Sequence, residues 1–261
     1  MNPAGQLPLD LRLAREPRLR DFIPGANAEA LAAVAATAAG QGDPYLYLWG
    51  EAGSGRTHLL LGACREVEEQ GGQALYLNLG DAARLDTQLV QDLEQLDLVA
   101  LDEIQAIADQ RPWLIALFDL FNRLRTSGAR LLVAADQPTG QLQLALPDLG
   151  SRLAWGPAYR LRPLDDVGRL ELLLIAARAR GMRLTPDVAR YILVRSPRDT
   201  RSLEQLLDRL DLVTLTEQRA PTLPLVRALL DAEQSWPEPA PASCWPTEAT
   251  AVCNRPREPD C

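Results

Sequence analysis

The chain has 261 residues, 47% of them hydrophobic, with a formal net charge of −8 and an isoelectric point near 4.8. This length allows a full hydrophobic core in one large domain or two small ones. The acidic balance argues against a broad basic surface that grips nucleic acid. No apolar run approaches the roughly 20 residues that span a bilayer, and no secretory signal begins the chain, so we expect a cytoplasmic protein.

Residues 1–12 are predicted to form an extended peptide, because the segment is short, interrupted by proline and alternates leucine with other residues. Such a peptide can place Leu7, Leu9 and Leu11 in an apolar groove while Gln6 satisfies polar groups at the rim. The alternative is a frayed terminus without a function, which is the ordinary state of a chain end.

Four apolar runs, around Leu46, at Ala74–Leu79, at Leu96–Leu101 and at Ala129–Ala135, alternate with helical patterns between residues 18 and 160. Alternation of this kind is typical of a parallel sheet with helices on both faces. We therefore predict a three-layer α/β domain over residues 13–160.

Residues 50–57 read Gly-Glu-Ala-Gly-Ser-Gly-Arg-Thr and match the phosphate-binding pattern G-x-x-x-x-G-K-[ST], with Arg56 in place of lysine. The glycines allow backbone N–H groups to surround an oligophosphate at the start of a helix. The hydroxyl of Thr57 would serve a magnesium ion. The predicted cofactor-binding residues of this loop are Gly50, Gly53, Ser54, Gly55, Arg56, Thr57 and, in the first helical turn, His58, for which local packing is favoured over catalysis.

Arg56 has two interpretations. Arginine is longer than lysine and binds in a planar fork, so it can grip a diphosphate while crowding a triphosphate; this indicates nucleotide binding with hydrolysis in doubt. Alternatively, Arg56 reflects composition, since the sequence contains no lysine and all 27 basic residues are arginines.

Carboxylates follow two of the predicted strands. Asp102 and Glu103 come directly after the run that ends at Leu101, at the edge of a parallel sheet where a nucleotide binds. Asp102 would hold magnesium and Glu103 would orient or deprotonate the attacking water. Asp136, after the strand that ends at Ala135, could contact that water or the terminal phosphate. For each site the alternative is a solvated turn at a strand end.

The region from 161 to 233 is predicted to be a small helical lid, with helices at Asp165–Arg180, from Thr185-Pro186, at Arg201–Thr216 and at Pro221–Ala232. Residues 234–261 are rich in proline and lack periodicity, which predicts disorder. The four cysteines lack metal-ligand spacing, so we expect neither zinc nor a structural disulfide.

The loop, the Leu-Asp-Glu-Ile strand end and the helical lid together resemble AAA+ ATPases. Three segments narrow the resemblance to the replication initiator DnaA: Arg20–Asn27 is similar to its adenine-side segment, Leu146–Gly156 to its arginine-finger box and Arg198–Glu204 to its lid arginine segment. The resemblance covers about residues 18–232. It implies that Phe22 and Ile23 contact the nucleotide.

An initiator would continue into a basic helix-turn-helix domain, whereas this chain continues into an acidic, proline-rich tail. The peptide Gln6–Leu11 is similar to the peptides by which bacterial replication proteins dock on the sliding clamp. The combination, with arginine at the loop lysine, resembles the Hda family of DnaA homologues. That resemblance implies a negative regulator of replication initiation that binds ADP (or ATP) with Mg²⁺ and the DNA polymerase III sliding clamp (beta subunit). It would stimulate ATP hydrolysis on DnaA, contact DNA only through the clamp, and leave self-association open.

The resemblance also implies roles for two arginines. Arg152 would be the arginine finger, which neutralises charge on the transferring phosphoryl group of a neighbouring subunit. Its alternative is a surface ion pair with Asp148, worth about 0.2–0.5 kcal/mol. Arg201 would be the lid arginine that reaches the phosphates, with Arg198 as the competing position.

Two other functions remain open from the sequence. An autonomous AAA+ ATPase, such as a helicase-loader-like protein, is favoured by the intact Asp102-Glu103 pair. A non-catalytic clamp adaptor would need Gln6 but not Arg152. The chain is in any case expected to activate a partner's ATPase more than to be an efficient ATPase itself.

Overall fold

The computed structural model of the chain describes residues 17–195, 200–217 and 219–233. The predicted clamp peptide with Gln6, Leu7, Leu9 and Leu11, the competing lid position Arg198 and the predicted tail lie outside the described residues.

The centre of the molecule is a five-stranded sheet in which every pairing is parallel. The strands are β1 (Tyr45–Gly50), β2 (Ala74–Asn78), β3 (Leu98–Asp102), β4 (Arg130–Ala135) and β5 (Ala158–Leu161), in the spatial order β2-β3-β4-β1-β5. Strand β1 is thus inserted between β4 and β5, and the chain after it leaves at the carboxyl edge of the sheet, where ligands of open α/β sheets bind.

Helices cover both faces of the sheet, as predicted. Helices α1 (Ala28–Ala38) and α2 (Arg56–Glu69) pack with the β1 residues Leu46 and Leu48 in one core cluster. Helices α3 (Arg111–Ser127) and α4 (Pro147–Leu153) pack with Tyr45 and Tyr47 in the other. Successive strand residues point to opposite faces, so β1 contributes to both cores. The three-layer α/β fold is therefore confirmed.

Two elements of the α/β region were not predicted. Seven of the 11 residues of helix α1 are alanine, so its sequence gives little contrast between a buried and an exposed face. Strand β5 has only four residues and ends at Leu161, one residue beyond the predicted end of the α/β region. Between β2 and β3 the chain forms three short 3₁₀ turns.

The described residues of the predicted lid form four helices with a core of their own. They are α5 (Asp166–Ala179), α6 (Pro186–Arg195), α7 (Thr200–Glu217) and α8 (Leu223–Glu233). The carboxylate of Asp165 caps α5 by accepting a hydrogen bond from the Gly168 N–H at 2.8 Å. Buried residues that include Leu173, Ile192 and Leu210 form the shared core. Among the described helices, none has the length and apolar character needed to cross a membrane.

Candidate nucleotide site and arginine face

The loop between β1 and α2 has the backbone geometry of a phosphate cradle. Gly53 and Gly55 adopt left-handed conformations, with φ of +78° and +95°, and Gly55 is the residue that precedes the first turn of α2. A Cβ at Gly55 would lie only 2.6 Å from the ring of Phe22. Both the backbone angle and the adjacent ring therefore require glycine at this position.

Two polar atoms of the loop are buried without a partner. The Ser54 hydroxyl, on a residue only 4% exposed, and one terminal guanidinium nitrogen of Arg56 accept or donate no hydrogen bond within the described part of the chain. Buried polar groups are nearly always paired in folded proteins, so these two atoms mark a place for a polar ligand.

Asp102 lies at the centre of a buried hydrogen-bond network and is only 1% exposed. The Thr57 hydroxyl donates to its Oδ2 at 2.6 Å, the Tyr76 hydroxyl donates to the same oxygen at 3.0 Å, and the Glu103 N–H donates to its Oδ1 at 2.9 Å. Burial and the adjacent Asp102 carboxylate raise the pKa of Tyr76 above its ordinary value, so Tyr76 stays a proton donor.

Thr57 and Asp102 present the hard oxygens that Mg²⁺ prefers. Within the described residues, no group of three or more His, Cys, Asp or Glu side chains is arranged to hold a metal ion by itself. The donor set therefore fits an ion that takes its other ligands from phosphate and water.

Glu103 occupies an unusual backbone position, with φ of +55°. Burial and then the Asp102 carboxylate raise its pKa, while the positive charge of Arg56 opposes this shift. Non-glycine residues with positive φ cost conformational energy and cluster at functional sites. Glu103 is thus held beside Asp102 and within the electrostatic reach of Arg56, and its predicted action on the attacking water stays a prediction.

Asp136 lies at the same edge of the sheet. It is exposed. Burial is the main cause that raises the pKa of Tyr47 and of Glu103, and the negative charge of Asp136 adds to both shifts. The Tyr47 hydroxyl donates to the Gln137 carbonyl at 2.8 Å and so fixes the chain immediately after Asp136. The structure therefore brings the ends of β1, β3 and β4 together around the loop.

The segment before α1 closes one side of this site. Ile23 is buried, and the ring of Phe22 meets the ring of His58 edge-on with centroids 5.5 Å apart. The Nε2 atom of His58 is hydrogen-bonded to the Arg18 carbonyl at 2.9 Å, so this side chain ties α2 to the preceding segment. Asn27 fixes the end of the segment through a reciprocal pair of 2.8 Å hydrogen bonds with the Arg162 backbone.

Arg152 lies on the last turn of α4, in surroundings that differ from those of the phosphate loop. Its guanidinium carbon is 5.7 Å from the ring centroid of Phe118, beside an open cavity of about 330 Å³. No residue of the 50–57 loop lines this cavity. Its walls are formed by Phe118, Arg125, Asp148, Ser151, Arg152 and Trp155.

The surroundings of Arg152 are aromatic more than acidic. Asp148 lines the same cavity, but among the described residues no ion pair joins it to Arg152, and the choice between a finger and a surface ion pair stays a prediction. The neighbouring Arg125 stacks on Trp155, with its guanidinium carbon 3.9 Å from the ring centroid, and Trp155 is 58% exposed. We refer to Phe118, Arg125, Arg152 and Trp155 as the arginine face.

Arg201 lies in the first turn of α7, but its side chain is not among those described. Its predicted role at the phosphates therefore stays a prediction.

Sequence reasoning missed three tyrosines that organise these regions: Tyr45, Tyr47 and Tyr76. All three occupy strands that lead into the site, and each hydroxyl has a hydrogen-bond partner far away in the chain. A buried tyrosine needs such a partner, so tyrosine within an apolar strand is the signal that could have identified them.

Comparison with known proteins gives one family match for the α/β region and another for the helical region that follows it. Residues 13–159 match the family model of the bacterial DnaA ATPase domain, and residues 166–230 match the model of the Hda lid domain. Domain III of the replication initiation protein DnaA from Thermotoga maritima is similar in structure, with a TM-score of 0.71 and 21% identity, covering 82% of this chain and 95% of that one.

Two further structures are similar. AMPPCP-bound DnaA from Aquifex aeolicus has a TM-score of 0.68 and 21% identity over 84% of this chain and 69% of that chain. The RuvB Holliday junction branch migration motor from Thermotoga maritima has a TM-score of 0.63 and 20% identity over 84% and 72% of the two chains. At these identities the similarity concerns the fold.

Proposed function

The chain belongs to the family of the bacterial DnaA ATPase domain and carries an Hda-type lid, and from this membership we propose that it is a negative regulator of replication initiation. In this proposal the protein binds ADP and the DNA polymerase III sliding clamp, and stimulates hydrolysis of the ATP held by DnaA. DnaA is thereby converted to its inactive ADP form.

The unpaired polar atoms of the loop support nucleotide binding. Ser54 and Arg56 would donate to phosphate oxygens, together with the backbone N–H groups that the glycines orient. Thr57 and Asp102 would hold a magnesium ion, which when bound neutralises phosphate charge. Phe22, Ile23 and His58 would close the adenine side, and Arg201 would approach from the lid.

ADP is proposed as the resident nucleotide because of Arg56. The planar guanidinium is well matched to two oxygens of a terminal diphosphate, and its extra length leaves less room for a third phosphate. A protein that retains ADP in its own site has no ATP to turn over there, so the activity would have to be exerted on the ATP of another molecule.

The surroundings of Arg152 carry the proposal. Its guanidinium lies beside an open cavity that no residue of the chain's own phosphate loop lines, and no ion pair joins it to another described residue, although Asp148 lines the same cavity. An arginine in this position is available to a nucleotide on a second protein. Inserted from a neighbour, such a group stabilises the transferring phosphoryl charge and accelerates hydrolysis by about 10³–10⁵ where arginine fingers have been measured.

The clamp supplies proximity in this proposal. Gln6, Leu7, Leu9 and Leu11 would bind the clamp as an extended peptide, so that the protein meets DnaA only where a clamp is loaded on DNA. Contact with DNA would then be indirect, in line with the net charge of −8.

An autonomous ATPase is the second candidate, and one observation favours it. Asp102 and Glu103 are both positioned at the loop, with Asp102 hydrogen-bonded to Thr57 at 2.6 Å. In that case Glu103 would activate water on the chain's own ATP. Measurable turnover of free ATP by the purified protein, without DnaA, would favour this candidate. A non-catalytic clamp adaptor, which would need Gln6 but not Arg152, is the third candidate.

The test is the hydrolysis of ATP preloaded on DnaA in the presence of DNA-loaded clamp. We expect the unmodified protein to stimulate hydrolysis, and the Gln6→Ala and Arg152→Ala variants to lose stimulation for different reasons. Gln6→Ala should fail to bind the clamp, whereas Arg152→Ala should bind it normally. An unmodified protein that binds the clamp without stimulating hydrolysis would overturn the proposal, and so would full activity of Arg152→Ala.

A further inference from the structure

Tyr45, the first residue of β1, contacts both helices on its face of the sheet. Its hydroxyl donates a hydrogen bond to the Leu153 carbonyl at 2.8 Å, and this contact is buried. Its ring meets the Phe121 ring of α3 edge-on, with centroids 5.3 Å apart and an interplanar angle of 72°. Leu153 is the last residue of α4 and directly follows Arg152 in the chain.

The bond to Leu153 completes the C-terminus of α4. The last carbonyls of a helix lack partners within the helix and must find them elsewhere. Those of Gly150 and Arg152 accept from the backbone N–H groups of Ala154 and Trp155, both at 3.1 Å. The Leu153 carbonyl instead accepts from Tyr45. Burial raises the pKa of Tyr45 well above its ordinary value, so the hydroxyl remains a donor at any working pH.

The connection from α4 to β5 also rests on the start of β1. A Cβ at Gly156 would collide with the Tyr45 ring, so the connection passes directly over that ring. One residue further, the Pro157 carbonyl accepts from the Tyr47 N–H at 3.0 Å. The strand that delivers the phosphate loop at its far end therefore holds both the end of α4 and the chain beyond it.

We propose that Tyr45 is a positioning residue for Arg152: its hydroxyl fixes the last turn of α4 and thereby the place from which the guanidinium reaches a nucleotide on the partner. This inference rests on the proposed role of Arg152. A catalytic group misplaced by about 1 Å can lose about 100-fold in rate, so the loss of one buried bond beside it has a measurable cost.

The test is the Tyr45→Phe variant, which removes only the hydroxyl. We expect the maximal rate of DnaA-bound ATP hydrolysis to fall about tenfold, a fraction of the effect of a full misplacement. The protein concentration for half-maximal stimulation and the ADP affinity should stay unchanged. In the Arg152→Ala background the same substitution should have no further effect on the rate, because it acts through Arg152.

Thr37→Val is the matched control. The Thr37 hydroxyl is buried and donates a hydrogen bond to the Asp43 carbonyl at 2.8 Å, the same length as the Tyr45 bond. Thr37 lies on α1, which packs on the opposite face of the sheet. This variant should lose a similar amount of stability and keep its stimulation. Amide hydrogen exchange gives a second readout, since the amides of Ala154 and Trp155 should exchange faster in Tyr45→Phe and not in Thr37→Val.

Three results would count against the inference. Full stimulation by Tyr45→Phe, with Arg152→Ala inactive in the same assay, would overturn it and leave the proposed function in place. Equal losses in Tyr45→Phe and Thr37→Val would assign the effect to general destabilisation. An unmodified protein that fails to stimulate DnaA would overturn the proposed function and this inference with it.

Discussion

The phosphate-loop edge and the arginine face are built in opposite ways. At the loop edge, Asp102 accepts three hydrogen bonds of 2.6–3.0 Å and is almost completely buried. At the arginine face, Arg152 and Arg125 are held by the rings of Phe118 and Trp155, and Trp155 is largely exposed. The first region is fixed by internal hydrogen bonds and the second by contacts with aromatic side chains.

In the proposed function this difference corresponds to two tasks. A site that retains its own ligand gains from side chains fixed in advance, because little ordering is left to occur on binding. A surface that acts on another molecule gains from charged groups that are still unpaired, because their hydrogen bonds form only in the complex. Each substitution below should change the function of one region and leave that of the other unchanged.

The largest expected effect is that of Arg152→Ala. If Arg152 is the proposed arginine finger, stimulation of DnaA-bound ATP hydrolysis should fall by about 10³-fold or more, with no change in ADP affinity. Hydrolysis assays and ADP titrations on the same preparation would measure both. Arg152→Lys is the matched variant, and it should recover little, since an ammonium group keeps the charge but not the planar fork.

Arg56→Ala should have the reverse pattern. We expect ADP affinity to fall about 10–100-fold, because a charged donor to phosphate is worth about 1.5–3 kcal/mol. The arginine face should remain intact, so stimulation at saturating ADP should be close to normal. Arg56→Lys restores the usual loop residue and should recover most of the affinity. Unaltered ADP binding by Arg56→Ala would mean that arginine at this position reflects the lysine-free composition of the chain and not a contact with phosphate.

Tyr76→Phe should affect magnesium more than nucleotide. Without the Tyr76 hydroxyl, Asp102 loses one of its two donors at Oδ2, and its orientation towards the ion is less well fixed. We expect the Mg²⁺ concentration for half-maximal effect on ADP binding to rise about fivefold, equivalent to about 1 kcal/mol. ADP binding measured in EDTA should be the same in both proteins; a difference there would point to a general effect on the loop.

The smallest expected effect concerns pH. The folded-state pKa of Glu103 is raised by burial and Asp102, so ionised Glu103 costs stability as pH rises from about 4.5 through that pKa. Glu103→Gln should therefore be slightly more stable than the unmodified protein at pH 7, by less than about 1 kcal/mol, and no more stable near pH 4.

Urea unfolding at the two pH values would measure this difference. Glu94→Gln offers a control of opposite sign, because a backbone hydrogen bond and Arg123 lower the pKa of Glu94. The stability contributed by Glu94 is present above its ordinary pKa and is lost as pH falls. That variant should be the less stable protein at pH 7 and should approach the unmodified protein in acid.

The sequence was sufficient to predict those parts of the site that depend on neighbours in the chain. The glycine spacing of residues 50–57 predicted the cradle, and the apolar run before Asp102 predicted a strand that ends at its edge. The sequence assigned both Thr57 and Asp102 to one magnesium ion, and their side-chain oxygens lie 2.6 Å apart.

The contacts between distant strands and helices could not be predicted in this way. The Tyr76–Asp102 bond requires β2 and β3 to be neighbours, and the Tyr45–Leu153 bond spans 108 residues. Both depend on the strand order, which no local pattern encodes. The four-residue strand β5 is too short to show a pattern of its own. Helix α1 has the high helix propensity of alanine, but its few large apolar side chains do not show which face is buried.

The reciprocal bonds between Asn27 and the Arg162 backbone join residues that are 135 positions apart. During synthesis, at about 5–20 residues per second, Asn27 emerges early and remains without its partner until the whole sheet has been made. Contacts of such long range are also the slow ones in folding. The segment that closes the adenine side in the proposed function is thus fixed only after residue 162 of 261 has been made, so a shorter chain would present the phosphate loop before that side is in place.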